Sequence, residues 1–243
     1  MVYRSVLGVV QSLILSVSES CSAAFGDLLA EGNAEKTNHN FDRFEFVQTG
    51  LSAVLYTITF IMIIPFIRIY TRGIHDADYV QPAFAAVIIL AETIYCIRLI
   101  YSTVLLSANL YKETQSHAWA EAGINIILSV LLVRPMGLVG IAVGTLMGTI
   151  VRGIFDARYL CKNLLHRPIR KTIRLLSVSL AASLLSVFCT VLLPLPYHSW
   201  LGWAISAACV SAIVVCIFSI AYLVFYRKQM NDMLLIAQKI IRR

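Results

Sequence analysis

Charge is what this chain has little of. Only 14% of its 243 residues are Asp, Glu, Lys or Arg, against about 25% in ordinary soluble domains. So few charges exclude a large extramembrane catalytic domain and a disordered polar chain. The six cysteines (Cys21, Cys96, Cys161, Cys189, Cys209, Cys216) show no C-x-x-C pair and no metal-ligand spacing with histidine, so neither a disulfide framework nor a zinc site is expected. Five of them lie in apolar runs, where cysteine acts as a small hydrophobe. No G-x-S-x-G, H-E-x-x-H or G-x-x-x-x-G-K-[ST] occurs, and with these the common hydrolase, metalloprotease and nucleotide-driven signatures are missing. The five histidines (His39, His75, His117, His166, His198) fall in connections. Only HDAD (His75–Asp78) approaches an acidic metal–diphosphate cluster, and it reads as a solvated loop. The residue pattern therefore predicts a non-enzyme with no cofactor and no metal. The N-terminal stretch has no small-residue cleavage site, so no signal peptide is predicted.

What the chain has is apolar length. Hydrophobic residues make up 59% and the mean hydropathy is +0.79. With about 20 residues per span, there is room for six or seven spans. The expected fold is an all-α polytopic membrane protein. Its net charge of +7 could suggest a nucleic-acid binder. Its Lys and Arg instead sit in short stretches beside apolar runs, the pattern of membrane topology, and no nucleic-acid partner is expected.

Seven spans are predicted: 5–29, polar for a span, with Gln11, Ser12, Ser16, Ser18, Glu19, Ser20 and Ser22; 46–71, with Pro65; 80–106, with Glu92 and Arg98; 118–133, with Glu121; 137–159, glycine-rich; 175–193; and 200–226. The connections on one side carry fourteen Lys and Arg and those on the other carry four. By the positive-inside rule this predicts a cytoplasmic C-terminus and an outer N-terminus. A chain that begins outside without a cleaved signal leads us to expect an earlier span. Residues 161–174 read as a basic connector along the cytoplasmic leaflet or as a plain stop-transfer anchor, and 227–243 as a basic interfacial tail.

Ionisable groups inside a bilayer cost several kcal/mol unless they meet a cavity or a partner. Glu92 and Arg98 are about 120° apart around a helix, with Tyr95 midway between them. They read either as the border of one polar cavity, with Arg98 attracting an anionic headgroup and Glu92 holding or relaying charge, or as a structural pair made with other helices. Glu121 sits only a few residues inside its span, where snorkelling to the interface competes with a functional reading. Glu19, within SVSESCS, reads equally as a cavity wall or as part of a hydroxyl-packed interface. Asp27 and Asp156 read as caps or interfacial charges. Gly137, Gly140, Gly144 and Gly148 form one small-residue face that lets another helix approach closely or slide.

The order of these features resembles a known family. SCSAAFGDLLAEGN closing a polar span, then IIPFIRIYT ending an apolar one, then INIILSVLLVRPMGLVGIAVGTLMGTIVR are similar to the bacterial polysaccharide (O-antigen-type) flippases of the multidrug/oligosaccharidyl-lipid/polysaccharide exporter superfamily. Asn125–Gly144, an Asn-bearing helix, a tight glycine turn and a Gly/Ala helix, is the most telling stretch, and the likeness covers residues 5–175. It implies the second lobe of a two-lobe transporter, with flippase-like helices over 5–160 and two additional helices over 175–226. It further implies a bacterial inner-membrane location and two lobes rocking around a cationic cavity to move a lipid-diphosphate-linked oligosaccharide outward. Arg98 is the residue carried over to the headgroup. The chain departs from that pattern in having no first lobe. A partner lobe, a second copy or a longer protein would then complete the cavity. An ion-coupled multidrug-type exporter and a non-transporting scaffold packing through the glycine face are the other readings.

Overall fold

In hydrocarbon no water satisfies a backbone N–H or C=O, so an apolar segment meets its hydrogen bonds internally by coiling into an α-helix. The computed structural model describes residues 2–74, 78–194, 196–197 and 199–231, and among them there is no strand. Seven helices follow one another: α1 (Val2–Ala30), α2 (Ala34–Tyr70), α3 (Pro82–Ser107), α4 (Tyr111–Met136), α5 (Leu138–Tyr159), α6 (Arg170–Val191) and α7 (Trp200–Phe225). Each is long and apolar enough to cross a bilayer. The chain is an all-α, multi-pass membrane protein.

Breaks come where local chemistry supplies them. Asn33 caps α2, its Oδ1 accepting from the Lys36 amide at 2.9 Å, and Pro82 opens α3 at a position where a missing N–H costs nothing. Gly137 turns α4 into α5 at φ 57°, ψ −131°, a combination essentially confined to glycine. Three helices begin five or more residues before the spans read from hydropathy. α2 begins at Ala34 rather than Phe46, α4 at Tyr111 rather than Ala118, and α6 at Arg170 rather than Leu175. At 37 residues α2 is about 55 Å long by its 1.5 Å rise per residue, far more than a hydrocarbon core of about 30 Å. Its polar first turns, with Asp42 and Glu45, therefore project past the apolar layer as helix rather than loop.

The helices α2 and α3 form the centre. α1 lies against both, α5 packs on α3 with α4 outside it, and α6 and α7 pack on α2. α1 and α3 run parallel at a constant offset: Ser18 bonds Thr103 at 3.0 Å and Ser22 approaches Ser107 at 3.4 Å. Three apolar cores result. Phe25, Phe41, Tyr101 and Leu160 fill one end, Leu7, Ile14, Ile63 and Ile89 fill the other, and Phe46, Met62, Val210 and Phe218 join α2 to α6 and α7. Hydroxyls fasten the last two helices: Thr57 donates to Ser183 at 2.9 Å, and Ser179 and Tyr222 share a bond of 2.8 Å. The Tyr222 ring lies where a Cβ on Gly50 would stand, 3.0 Å away.

The basic connector is built from three short pieces. Leu160–Leu164 is a π turn continuing α5, residues 165–169 form a non-helical bend, and α6 starts at Arg170. His75, Asp76 and Ala77 of the HDAD loop, and the tail from residue 232 onward, lie outside the described residues.

Candidate functional site

The α4–α5 hairpin sets the geometry of the principal cluster. Because the chain reverses at Gly137, residues equally distant from the turn face one another. Gly140, Gly144 and Gly148 lie against α4 so tightly that an added Cβ would stand 2.2 Å from the Leu132 carbonyl oxygen, 2.3 Å from Ser129 Oγ and 2.9 Å from the Glu121 carbonyl oxygen, respectively. Gly137 has open space around its Cβ position. It serves the turn and not the packing face, a correction to the four-glycine stripe read from spacing.

The same face continues four residues at a time from Gly148 to Arg152 and Asp156, and along α4 from Asn125 to Glu121 and His117. The hairpin thus brings two i,i+4 pairs together. Arg152 Nη1 donates to Glu121 Oε2 at 2.8 Å, and His117 Nδ1 stands 2.7 Å from Asp156 Oδ1. Arg98 enters from α3, its Nη2 spanning both Glu121 oxygens at 3.2 and 3.3 Å. Asp156 Oδ2 lies between the two guanidinium groups, 3.9 Å from Arg98 Nη1 and 3.7 Å from Arg152 Nε, contacts that are coulombic rather than hydrogen-bonded. Two carboxylates therefore neutralise two arginines inside a three-helix contact, with a histidine on the outer edge of Asp156. Breaking such a buried set by removing one member costs about 3–5 kcal/mol.

Tyr95 covers this cluster, with the Arg98 guanidinium 4.8 Å from its ring centroid. Glu92 lies further along α3, half-buried, with no hydrogen bond or ion pair among the described residues; the cation acting on it is Arg4 of α1. Arg98 pairs with Glu121 of α4 and Asp156 of α5, whereas Glu92 faces the charge of Arg4 on α1. Glu121 does not snorkel, since both its oxygens are held by arginines.

Glu19 belongs to a different surface. Ser12, Ser16, Glu19, Ser20, Ala23 and Asp27 are all exposed and recur at helical spacing, so they form one outward stripe of α1. Ser12, Ser16 and Ser20 each donate to the carbonyl four residues earlier, which satisfies them within the helix. Glu19, the eighteenth of the 29 residues of α1, has no hydrogen bond or ion pair among the described residues.

A second ionic group lies where α2 emerges. Arg167, 7% exposed, bonds Asp42, Glu45 Oε2 at 2.6 Å and Thr172 Oγ1 at 2.5 Å. Glu45 also accepts from Tyr101 at 2.9 Å and Thr172 at 2.6 Å, and Lys171 pairs with Asp42 at 2.8 Å. Burial pushes the Arg167 guanidinium down, but the charge and hydrogen bond of Glu45, together with smaller contributions that include Asp42, hold it above its ordinary value. The group ties the start of α6 to α2 and α3.

Sequence reasoning missed Arg152, His117, Glu45 and Arg167 as members of these groups, and read Asp156, fully buried here, as a cap or an interfacial charge. The i,i+4 spacings His117/Glu121 and Arg152/Asp156, mirrored about Gly137, were the available signal. No group of His, Cys, Asp and Glu among the described residues could hold a metal ion. Comparison of the chain with protein-family models, curated proteins and solved structures finds no match.

Proposed function

We propose that the chain is one lobe of a two-lobe flippase of the bacterial inner membrane, moving a lipid-diphosphate-linked oligosaccharide outward for surface polysaccharide synthesis. Glu19 is the observation that carries the reading. A carboxylate on the outward face near the middle of a span costs about 2.5–3.5 kcal/mol on insertion scales, and is stable only where water or another polypeptide meets it. A hydrated path shared with a partner lobe, or with a second copy, supplies both. The motif pattern resembling the polysaccharide flippases supports the substrate class, and Arg98 and Arg152 supply cations for a diphosphate once their bonds to Glu121 rearrange. Fourteen basic residues on one side against four on the other support a cytoplasmic C-terminus.

The ion-coupled exporter is the second reading, favoured because Glu19 and Glu92 are acidic and lack ion pairs among the described residues, whereas Arg98 and Arg152 are matched by carboxylates. Replacing Arg98 with Ala separates the two. Loss of surface polymer with the protein still in the membrane supports the flippase. Normal polymer with raised drug susceptibility supports the exporter.

A further inference from the structure

We infer that the cleft between α5 and α6 holds an anionic phospholipid, its phosphate at Arg158, Lys162 and His166 and an acyl chain along α3. α5 packs on α3 and α4, and α6 on α2 and α7, which leaves a cleft of about 460 Å³ between them. Its floor is Ile94 and Ile97 of α3, and its walls include Ile150 and Ile154 of α5 and Ile173 and Leu176 of α6. Ile154 and Ile173 are 47% and 55% exposed, so the cleft opens sideways to the apolar layer.

At one end the cleft runs into a second, more open pocket of about 510 Å³; Arg158 and Ile169 line both. Arg158, Lys162 and His166 line this mouth, and no carboxylate does. All three are exposed, and none has a carboxylate within ion-pairing distance among the described residues. Their neighbour Arg167 is already held by Asp42 and Glu45. Local backbone geometry brings the three together. They recur every fourth residue across the π turn Leu160–Leu164, and the left-handed φ of 49° at His166 bends the chain back towards α6. π turns and left-handed non-glycine residues both concentrate at functional places.

Charge complementarity selects the occupant. A basic pocket at the interface above an apolar cleft between spans suits a lipid with an anionic headgroup. A neutral lipid leaves the Arg158 and Lys162 cations unmatched, and a soluble anion leaves the cleft unfilled. The bound lipid is a phospholipid of the leaflet on the basic side, seated on the opposite edge of α3 from α1. The site stands on the membrane-spanning fold and does not depend on the transported substrate.

The full chain reconstituted into phosphatidylcholine bilayers with phosphatidylglycerol as the minor component tests this by electron spin resonance of spin-labelled lipids. The expected result is a motionally restricted population that favours phosphatidylglycerol over phosphatidylcholine. Replacing Arg158 and Lys162 with Gln, both exposed and outside the packed core, lowers that preference about fivefold per cation removed. Ile154→Trp keeps the cations and fills the cleft, and it removes the preference for phosphatidylglycerol. No preference in the parent chain, or a preference that survives R158Q/K162Q or I154W, each overturns the proposal. So does displacement of phosphatidylglycerol by equimolar polyprenyl diphosphate, which would give the cleft to the transported lipid.

Discussion

Glu121 and Arg152 stand 2.8 Å apart at mirrored places in the hairpin that turns at Gly137, and the same Glu121 holds Arg98 of α3. One carboxylate therefore fixes the positions of three helices. A change at this residue acts on the whole α3–α4–α5 unit.

Glu121→Gln leaves Arg98 and Arg152 with Asp156 alone. Thermal unfolding in detergent should register a loss of about 3–5 kcal/mol, the usual cost of orphaning a buried charge. Glu121→Gln combined with Arg152→Gln restores the balance of one cation to one anion and should be more stable than the single variant. Losses that simply add would show that the two residues do not form one unit.

Glycines along the chain differ sharply in what surrounds them. Gly140→Ala drives a methyl against the Leu132 backbone and should loosen the hairpin. Gly123, with nothing within 4 Å of its Cβ position, should gain up to about 1 kcal/mol on change to Ala from helix propensity. Gly137→Ala meets no neighbour, yet should cost about 1–3 kcal/mol from backbone strain. Melting temperatures of the three variants in one detergent check the order Gly123→Ala above the parent, the other two below it.

Arg167→Met strands Glu45 beneath the start of α6. Protease cleavage in residues 165–169 should become faster and the melting temperature should fall. Adding Glu45→Gln should recover most of the loss, because an uncharged pair carries no desolvation debt. Unchanged cleavage in Arg167→Met would remove the ionic group from the account of how α6 is held.

The outward stripe of α1 predicts a wet surface. With all six native cysteines replaced, Ser16→Cys and Glu19→Cys in native membranes should react with a membrane-impermeant thiol reagent. Cysteine at Ile14, fully buried, should not. Equal protection of all three positions would place the stripe against lipid or against a dry interface.

The spans were legible in the sequence because hydropathy and length are local properties, and the seven helices lie where apolar runs predicted them. Arg98 was legible as well, since an arginine inside an apolar run requires a partner wherever it lies. The partner's identity was not, because pairing is set by contacts across helices. Glu121 looked able to reach the interface by itself, and only the approach of α3 and α5 shows it held from two sides. Arg167 was counted among the basic connector charges, since nothing near it in the chain reveals Asp42 and Glu45 some 120 residues earlier. The hairpin register lies between these extremes: once Gly137 is taken as the turn, the facing of Glu121 with Arg152 and of His117 with Asp156 follows from counting.

The lipid-linked saccharide content of a bacterial strain lacking this chain tests the central claim most directly. If the chain is a lobe of the flippase, complete lipid-linked repeat units accumulate in the inner membrane and surface polymer is lost. Normal lipid-linked saccharide and normal surface polymer would contradict it.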